Sequence, residues 1–344
     1  MASRTVLQVA LAGAGMISHF HLTAWRRLGE RARVVAICDP NAVHAEERSK
    51  EFGVAEIYPS VDAMLAARAV DALDIASSRA SHTAIIDLAA SRGIHTLCQK
   101  PLAPSLGEAE ALIRRISGRM RLMAHENWRF RPWYRELKAW LSAGEIGEVL
   151  ALQLATTSSG LLPDGSGRRP GLQRQPFMAY ERRLLIAEDL IHHLDLVRWL
   201  AGPLRVVAAR AARTLAEVEG ETIASILLET TSGTPVVVSG SLVAPGFPSR
   251  GQDKLELIGR EASATFAGDE LRLLGSRPRT ALYDAQAGYQ ASFDSVIEHF
   301  VECLTSGATF ETDAADNLET LRLVEHAYQA AGLEDGAPGQ VALP

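Results

Sequence analysis

Over roughly the first third of the chain, short unbroken apolar runs alternate with longer stretches whose apolar residues return every three or four positions. Unbroken runs of this length read as buried strands, and the longer spacing reads as amphipathic helix. The first run, 6–12 (VLQVALA), breaks at Gly13, Gly15 and Ser18, after which Ile17, Leu22, Trp25 and Leu28 carry a helix over 18–28. A second strand is predicted over 34–38, ending on Asp39, and a helix opened by Pro40 and Asn41 runs to Phe52 with Gly53 as its stop. Ser60 caps a helix carrying Met64 and Leu65. Then follow a strand over 71–76, a helix over 81–91 stopped by Gly93, a strand over 94–98, a helix over 105–116 and a strand over 122–124. Such alternation predicts a parallel sheet with helices on both faces.

Beyond His125 the rhythm changes. A helix over 132–143 and a long strand over 148–156 precede an irregular stretch, 158–183, rich in Gly, Pro and Arg. Its Arg168, Arg169, Arg174, Arg182 and Arg183 either flank a substrate cleft, contact a neighbouring subunit or form a solvated loop. Strands then follow without intervening helices, over 204–211, 222–230, 235–242, 254–258, 263–266 and 271–274, with hairpin turns at Ser232–Gly233 and Gly268–Asp269. This predicts an antiparallel sheet. Helices over 292–305 and 314–330 close the chain before a Gly/Pro tail.

The fold class expected is therefore α/β, with an N-terminal Rossmann domain over 1–125, a C-terminal α+β domain with an open, mainly antiparallel sheet over 126–334, and a tail over 335–344. The size of the chain, 344 residues, also favours two domains. A formal net charge of −6 gives no basic excess for a nucleic-acid partner. No apolar run reaches the roughly 18 residues of a membrane span. Cys38, Cys98 and Cys303 lie far apart in the sequence, as reduced core cysteines of a cytoplasmic protein would.

The glycine turn suggests the first chemistry. Gly13 permits the turn, Gly15 lets a pyrophosphate approach the backbone, and the free N–H groups of the next helix face the anion. An acid at the end of the second strand, Asp39, would bind both adenosine-ribose hydroxyls and repel a 2′-phosphate, so NAD is expected over NADP. In the third motif position stands Ser18, small but not glycine.

Further on, Glu188, His192, Asp195 and Trp199 share one face of a helix predicted over 184–200, while Leu190, Leu194 and Val197 share another. Carboxylates one turn either side of a histidine suit proton transfer near neutral pH. An ordinary amphipathic helix with a solvated polar stripe has the same pattern. His193 turns aside and reads as structural, and adjacent histidines do not converge on a metal, so none is expected. Gln99-Lys100-Pro101 follows a predicted strand directly, which sets Lys100 beyond a carboxyl end of the parallel sheet, where ligands bind.

Taken together, GAGMIS, QKPL at a strand end, HENWRFRPWYREL over 125–137, EDLIHHLDLVRWLAG and FDSVIEHFVECLTSG resemble the Gfo/Idh/MocA oxidoreductases along almost the whole chain. The resemblance implies oxidation of a sugar or cyclitol hydroxyl with hydride passing to a nicotinamide, and subunit contacts through the C-terminal sheet, in a homodimer or homotetramer. It puts the family's lysine on Lys100, its catalytic histidine on His192, the following acid on Asp195 and the preceding one on Glu188. The cofactor set becomes Gly13, Gly15, Met16, Ile17, Asp39, Gln99 and Lys100, and Asn127 and Arg129 are expected to line the substrate cleft. Three positions depart from the pattern. Gln99 replaces glutamate and Glu188 replaces aspartate, while Leu190 replaces a glycine and is expected to narrow the cleft. Aldose-oxidising members, including those acting on apiose, are the nearest in the QKP and HENWRFRPWYRE segments. Two other functions share this fold: glycoside cleavage with retained NAD, and nucleotide sensing without catalysis. Lys100 and His192 are superfluous in a sensor.

Overall fold

The computed structural model describes residues 6–333; the expected tail over 335–344 lies outside them. Two compact units divide the chain.

The first unit comprises the described residues up to Phe130 together with Tyr289–Glu319. Its strands are β1 (Leu7–Ala12), β2 (Ala32–Cys38), β3 (Glu56–Tyr58), β4 (Ala72–Ile75), β5 (His95–Gln99) and β6 (Leu122–His125). They pair in parallel in the order β3-β2-β1-β4-β5-β6. Helices α1 (Ser18–Arg27), α2 (Ala42–Phe52), α3 (Val61–Ala67), α4 (Arg79–Ser91) and α5 (Leu106–Ile116) connect them. Their ends follow local chemistry. Asn41 Oδ1 accepts from Val43 N at 3.1 Å, and Gly53 closes α2 at φ 73°. Ser105 and Glu108 form a reciprocal cap on α5. Alternate residues of β1 serve opposite faces, as the sheet geometry requires. Ala10 and Ala12 pack with Met64, Ile86 and Leu112, whereas Val9 packs with Trp25, Phe293 and Phe300.

That last cluster revises the expected boundary. Helix α9 begins at Ala285 and ends at Ser306, well before the predicted start, and its Phe293, Val296, Ile297 and Phe300 join the core of the first unit rather than the second.

The second unit comprises Arg131–Gly288 and the described residues from Thr320. It contains α6 (Pro132–Ser142), α7 (Pro170–Arg174), α8 (Ile191–Ala201) and most of α10 (Ala314–Ala330). Its strands are β7 (Val149–Thr157), β8 (Leu204–Ala212), β9 (Ile223–Thr230), β10 (Pro235–Ser241), β11 (Gln252–Gly259), β12 (Ala262–Ala267), β13 (Glu270–Gly275) and β14 (Arg279–Leu282). The sheet order is β14-β13-β12-β11-β7-β10-β9-β8, antiparallel except where β7 meets β10. Along β9 buried and exposed residues alternate, so one face of the sheet is covered and the other open. The open face carries Ile223, Leu227, Ile258 and Leu274.

Two short strands, β3 and β14, escape a reading of hydrophobic runs, because both are short and mostly polar or exposed. Within the Arg-rich stretch, Arg168 is held by Ser166, Arg169 by Leu161 O and Glu217, and Arg183 by Glu325. These three basic residues hold the stretch to itself and to Glu217 and Glu325.

Candidate functional site

In the first unit, the β1–α1 turn is built around Gly13, at φ 99°, where a Cβ would stand 2.6 Å from Ser77 N. Only glycine fits there. A Cβ on Gly15 would meet no protein atom within 4 Å, so this side of the turn has room for a ligand group. Helix α1 has no acidic residue in its first turn, so the positive end of its dipole faces no carboxylate of its own. Ser18 is fully buried and ties the turn together: its Oγ donates to Gly15 O at 2.6 Å and accepts from Arg48 Nε at 3.1 Å. Arg48 also reaches Gly15 O, at 3.4 Å. Met16 is exposed beside the turn, while Ile17 packs inward.

Asp39 stands at the end of β2. Its two oxygens accept from Ala14 N at 2.7 Å and Asn41 N at 2.8 Å, which fixes the carboxylate beside the glycine turn. Open space at Gly15, an acid-free helix start and a fixed acid beyond β2 together fit a dinucleotide. Gln99 closes β5, and Lys100 follows it, joined to Pro101 by a cis peptide bond. Asn127 and Arg129, expected at the substrate cleft, are instead buried. Asn127 donates to Ser292 Oγ at 2.8 Å, and Arg129 bonds to Glu311 O and Asp316, both at 3.0 Å. Through these bonds both side chains hold the returning C-terminal segment.

In the second unit the expected helix over 184–200 is two elements. Leu185–Leu190 forms a π-helical turn, and α8 starts at Ile191. Such turns are rare and recur at functional sites. Glu188 lies on this wider turn, so the even face drawn from α-helical spacing does not reach it. Nor is there a solvated polar stripe. Asp195 and His193 are buried along with Leu194 and Val197, and His192 keeps only 7% of its surface exposed. Asp195 Oδ1 accepts from Thr320 Oγ1 at 2.8 Å and from Arg198 Nη2 at 3.3 Å. Leu190 is fully buried and packs on Gly240, so it faces the sheet and does not narrow a cleft.

Two groups that a reading of the sequence did not single out hold this helix. Glu221 accepts from Leu184 N at 3.2 Å, Ile186 N at 2.9 Å and the Tyr328 hydroxyl at 2.6 Å, capping the π-helical turn from inside. Burial pushes the Glu221 carboxyl up despite these donors. Asp253 accepts from His193 at 2.9 Å, Tyr134 at 2.9 Å and Arg131 at 3.1 Å. Burial alone would raise its carboxyl, but the His193 and Arg131 charges and the donated bonds hold it well below the carboxylate range. His193 is thus structural, as expected. Among the described residues no cluster of His, Cys, Asp and Glu suits a metal ion, and no helix is long and apolar enough to cross a membrane.

Residues 7–124 match the family model described as oxidoreductase family, NAD-binding Rossmann fold, and residues 134–265 match the GFO/IDH/MocA C-terminal domain. The chain belongs to the Gfo/Idh/MocA oxidoreductase family. It is 32% identical to a D-apiose dehydrogenase of Paraburkholderia graminis, covering 94% of this chain and 87% of that one. A D-apiose dehydrogenase of Rhizobium rhizogenes is 30% identical, covering 95% and 96%. Among solved structures, an Agrobacterium radiobacter oxidoreductase in complex with NAD+, L-tartaric acid and magnesium superposes with a TM-score of 0.87 at 28% identity, covering 95% and 97%. As a Gfo/Idh/MocA protein the chain is an oxidoreductase with an NAD-binding Rossmann domain, and its relatives include dehydrogenases named for a sugar, D-apiose, and a cyclitol, inositol.

Proposed function

We propose that this enzyme oxidises a free aldose at its anomeric carbon to the lactone, with NAD as acceptor in preference to NADP. The observation that carries this reading is one chain of the family holding both Lys100, next after the last residue of β5 in the NAD-binding unit, and the slightly exposed His192 on α8. The relatives named D-apiose dehydrogenase, at 30–32% identity, favour an aldose over the cyclitol named for a relative at 27%.

When bound, the oxidised nicotinamide supplies a hydride acceptor. Lys100 donates a hydrogen bond to the reacting hydroxyl and stabilises negative charge growing on its oxygen. His192 accepts the hydroxyl proton. The O–H electron pair becomes the second bond of the new carbonyl as the C–H pair departs with the hydride. Asp195 and Glu188 orient the histidine or the sugar. Gly13, Gly15, Met16 and Ile17 form the pyrophosphate turn, Gln99 takes a ribose hydroxyl, and Asp39 takes the adenosine ribose and disfavours a 2′-phosphate. The apolar open face of the second sheet suits a homo-oligomer, dimer or tetramer. Three buried free cysteines suit a reducing, cytoplasmic setting.

The test is nicotinamide reduction by the purified protein across aldoses, cyclitols and polyols, with NAD and NADP in parallel and Lys100→Ala and His192→Ala as controls. Reduction with an aldose, lost in both variants while His192→Ala still binds NADH, is the expected result. Release of sugar from a glycoside without net NADH, or no turnover at all despite NAD binding, would overturn it.

A further inference from the structure

His21 and Asp74, which have no role in the reaction as proposed, form a chain of side chains with Gln99. His21 on α1 and Asp74 on β4 are fully buried, and the His21 Nδ1 lies 2.8 Å from Asp74 Oδ2. Trp25 Nε1 donates to the same oxygen at 2.6 Å. The second ring nitrogen of His21, Nε2, lies 2.8 Å from Gln99 Nε2. His125 on β6 stacks on His21 at 4.3 Å, and Phe293 meets both rings. Burial pushes His125 well below the usual histidine range, so it stays neutral.

Donor chemistry then fixes the direction of the chain. A carboxylate oxygen only accepts, so His21 Nδ1 carries the proton donated to Asp74. The Gln99 amide nitrogen, 2.8 Å from Nε2, only donates, so Nε2 offers it a lone pair. The Gln99 carboxamide is thereby held with its nitrogen toward His21 and its oxygen turned away. Gln99 ends β5, and in open parallel sheets ligands lie beyond the carboxyl ends of the strands.

We propose that His21 and Asp74 are positioning residues that hold Gln99 as an uncharged acceptor of fixed orientation for a ribose hydroxyl of the dinucleotide. This rests on the dehydrogenase reading. Without His21 the amide turns over freely and presents a donor as often as an acceptor. A carboxylate at position 99 would instead set acceptors at both ring nitrogens and draw a second proton onto His21.

The experiment follows NADH binding to the full chain by fluorescence from pH 6 to 9, alongside the nitrogen NMR signature of the His21 ring without cofactor. The titratable groups facing this ring are Asp74 from β4 and His125 from β6, with the Cys98 thiol of β5 near Asp74 and itself raised by burial. Trp25 and Phe293 complete the surroundings from α1 and α9 and do not titrate. Expected are a neutral Nδ1-protonated ring in the wild type and a doubly protonated ring at the acid end in Gln99→Glu. In that variant NADH affinity should change with pH. NADH binding should be about tenfold weaker in His21→Leu, the worth of one oriented hydrogen bond. In His21→Gln, which keeps an acceptor near Nε2, most of that affinity should return. A doubly protonated wild-type ring, or unchanged NADH affinity in His21→Leu, would overturn the proposal. Absence of any NADH binding by the wild type would instead overturn the dehydrogenase reading, and the ring signature would still report on the relay.

Discussion

Gly240 on β10 leaves the space that Leu190 fills: a Cβ at Gly240 would stand 2.9 Å from Leu190 Cδ2 and 3.1 Å from Leu185 Cδ1. The leucine found where the family pattern has glycine is thus matched by a glycine on the strand beneath it. Leu190 is the residue immediately before α8 and stands two residues before His192.

Gly240→Ala should therefore destabilise the protein by about 1–3 kcal/mol through overpacking. Leu190→Ala should cost about 2–5 kcal/mol through a cavity. Combined, the two should cost clearly less than their sum, since the added methyl occupies part of the space the leucine vacates. Urea unfolding of the three variants measures this, and additivity within about 0.5 kcal/mol would show that the two sites do not couple.

Asp253 should govern acid stability. Its carboxyl binds a proton less readily folded than unfolded, because the His193 and Arg131 charges and the donated bonds outweigh burial. The unfolded chain then takes up more protons on acidification. The stabilisation is complete above the unfolded carboxyl pKa, about 3.9, and is lost as pH falls below it toward the depressed folded value. Asp253→Asn should cost about 3–5 kcal/mol at neutral pH by leaving buried cations without their partner. Its stability should also decline less steeply than the wild type's below about pH 4. Equal slopes for both proteins in pH-dependent denaturation would place the acid sensitivity elsewhere.

Much of this architecture could be read from residue order, and the exceptions share a physical cause. Asn41, Ser60 and Ser105 cap their helices where the sequence sets them, because caps are local. The π-helical turn at Leu185–Leu190 was invisible, since over six residues its apolar pattern does not differ from an α-helix and its cap, Glu221, comes from a distant strand connection. The core partners of α9 are equally remote in sequence. Asp74 did carry a signal, an acid inside the apolar run DALDIA, which implies a buried partner. Nothing local, however, identifies that partner as His21. The strand-end positions of Asp39, Gln99 and Lys100 were legible because the apolar runs of β2 and β5 end there. The bonds of Asn127 and Arg129 were not legible, because their partners lie on a segment at the other end of the chain.

Glu221 offers a further check on how α8 is held. Glu221→Gln would turn an NH2 group toward backbone and hydroxyl donors, leaving buried groups unsatisfied at about 1–3 kcal/mol. Tyr328→Phe removes a single donated bond and should cost about 0.5–1.5 kcal/mol. On the proposed function, Glu221→Gln should lower kcat with little effect on NADH affinity, because the glycine turn belongs to the other unit. Steady-state kinetics and NADH titration at one pH separate the two. A loss of NADH affinity equal to the loss of kcat would mean that Glu221 acts on the fold at large.

Cofactor choice comes down to the charge of Asp39. Its oxygens hold Ala14 N and Asn41 N, so a substitution alters both a charge and the support of the glycine turn. Asp39→Asn removes the charge and keeps an acceptor for Ala14 N while giving up the bond from Asn41 N; Asp39→Ala removes all three. At a few ångströms and an effective dielectric near 20, a carboxylate opposes a 2′-phosphate by a few kcal/mol. Asp39→Asn should therefore raise kcat/KM for NADP on the order of tenfold or more while costing NAD little. Asp39→Ala should weaken both cofactors, the turn having lost its tie. If Asp39→Asn leaves the NADP constant where it was, discrimination resides in another group at the turn. Arg48, which bonds Ser18 and Gly15, would then be the next side chain to change.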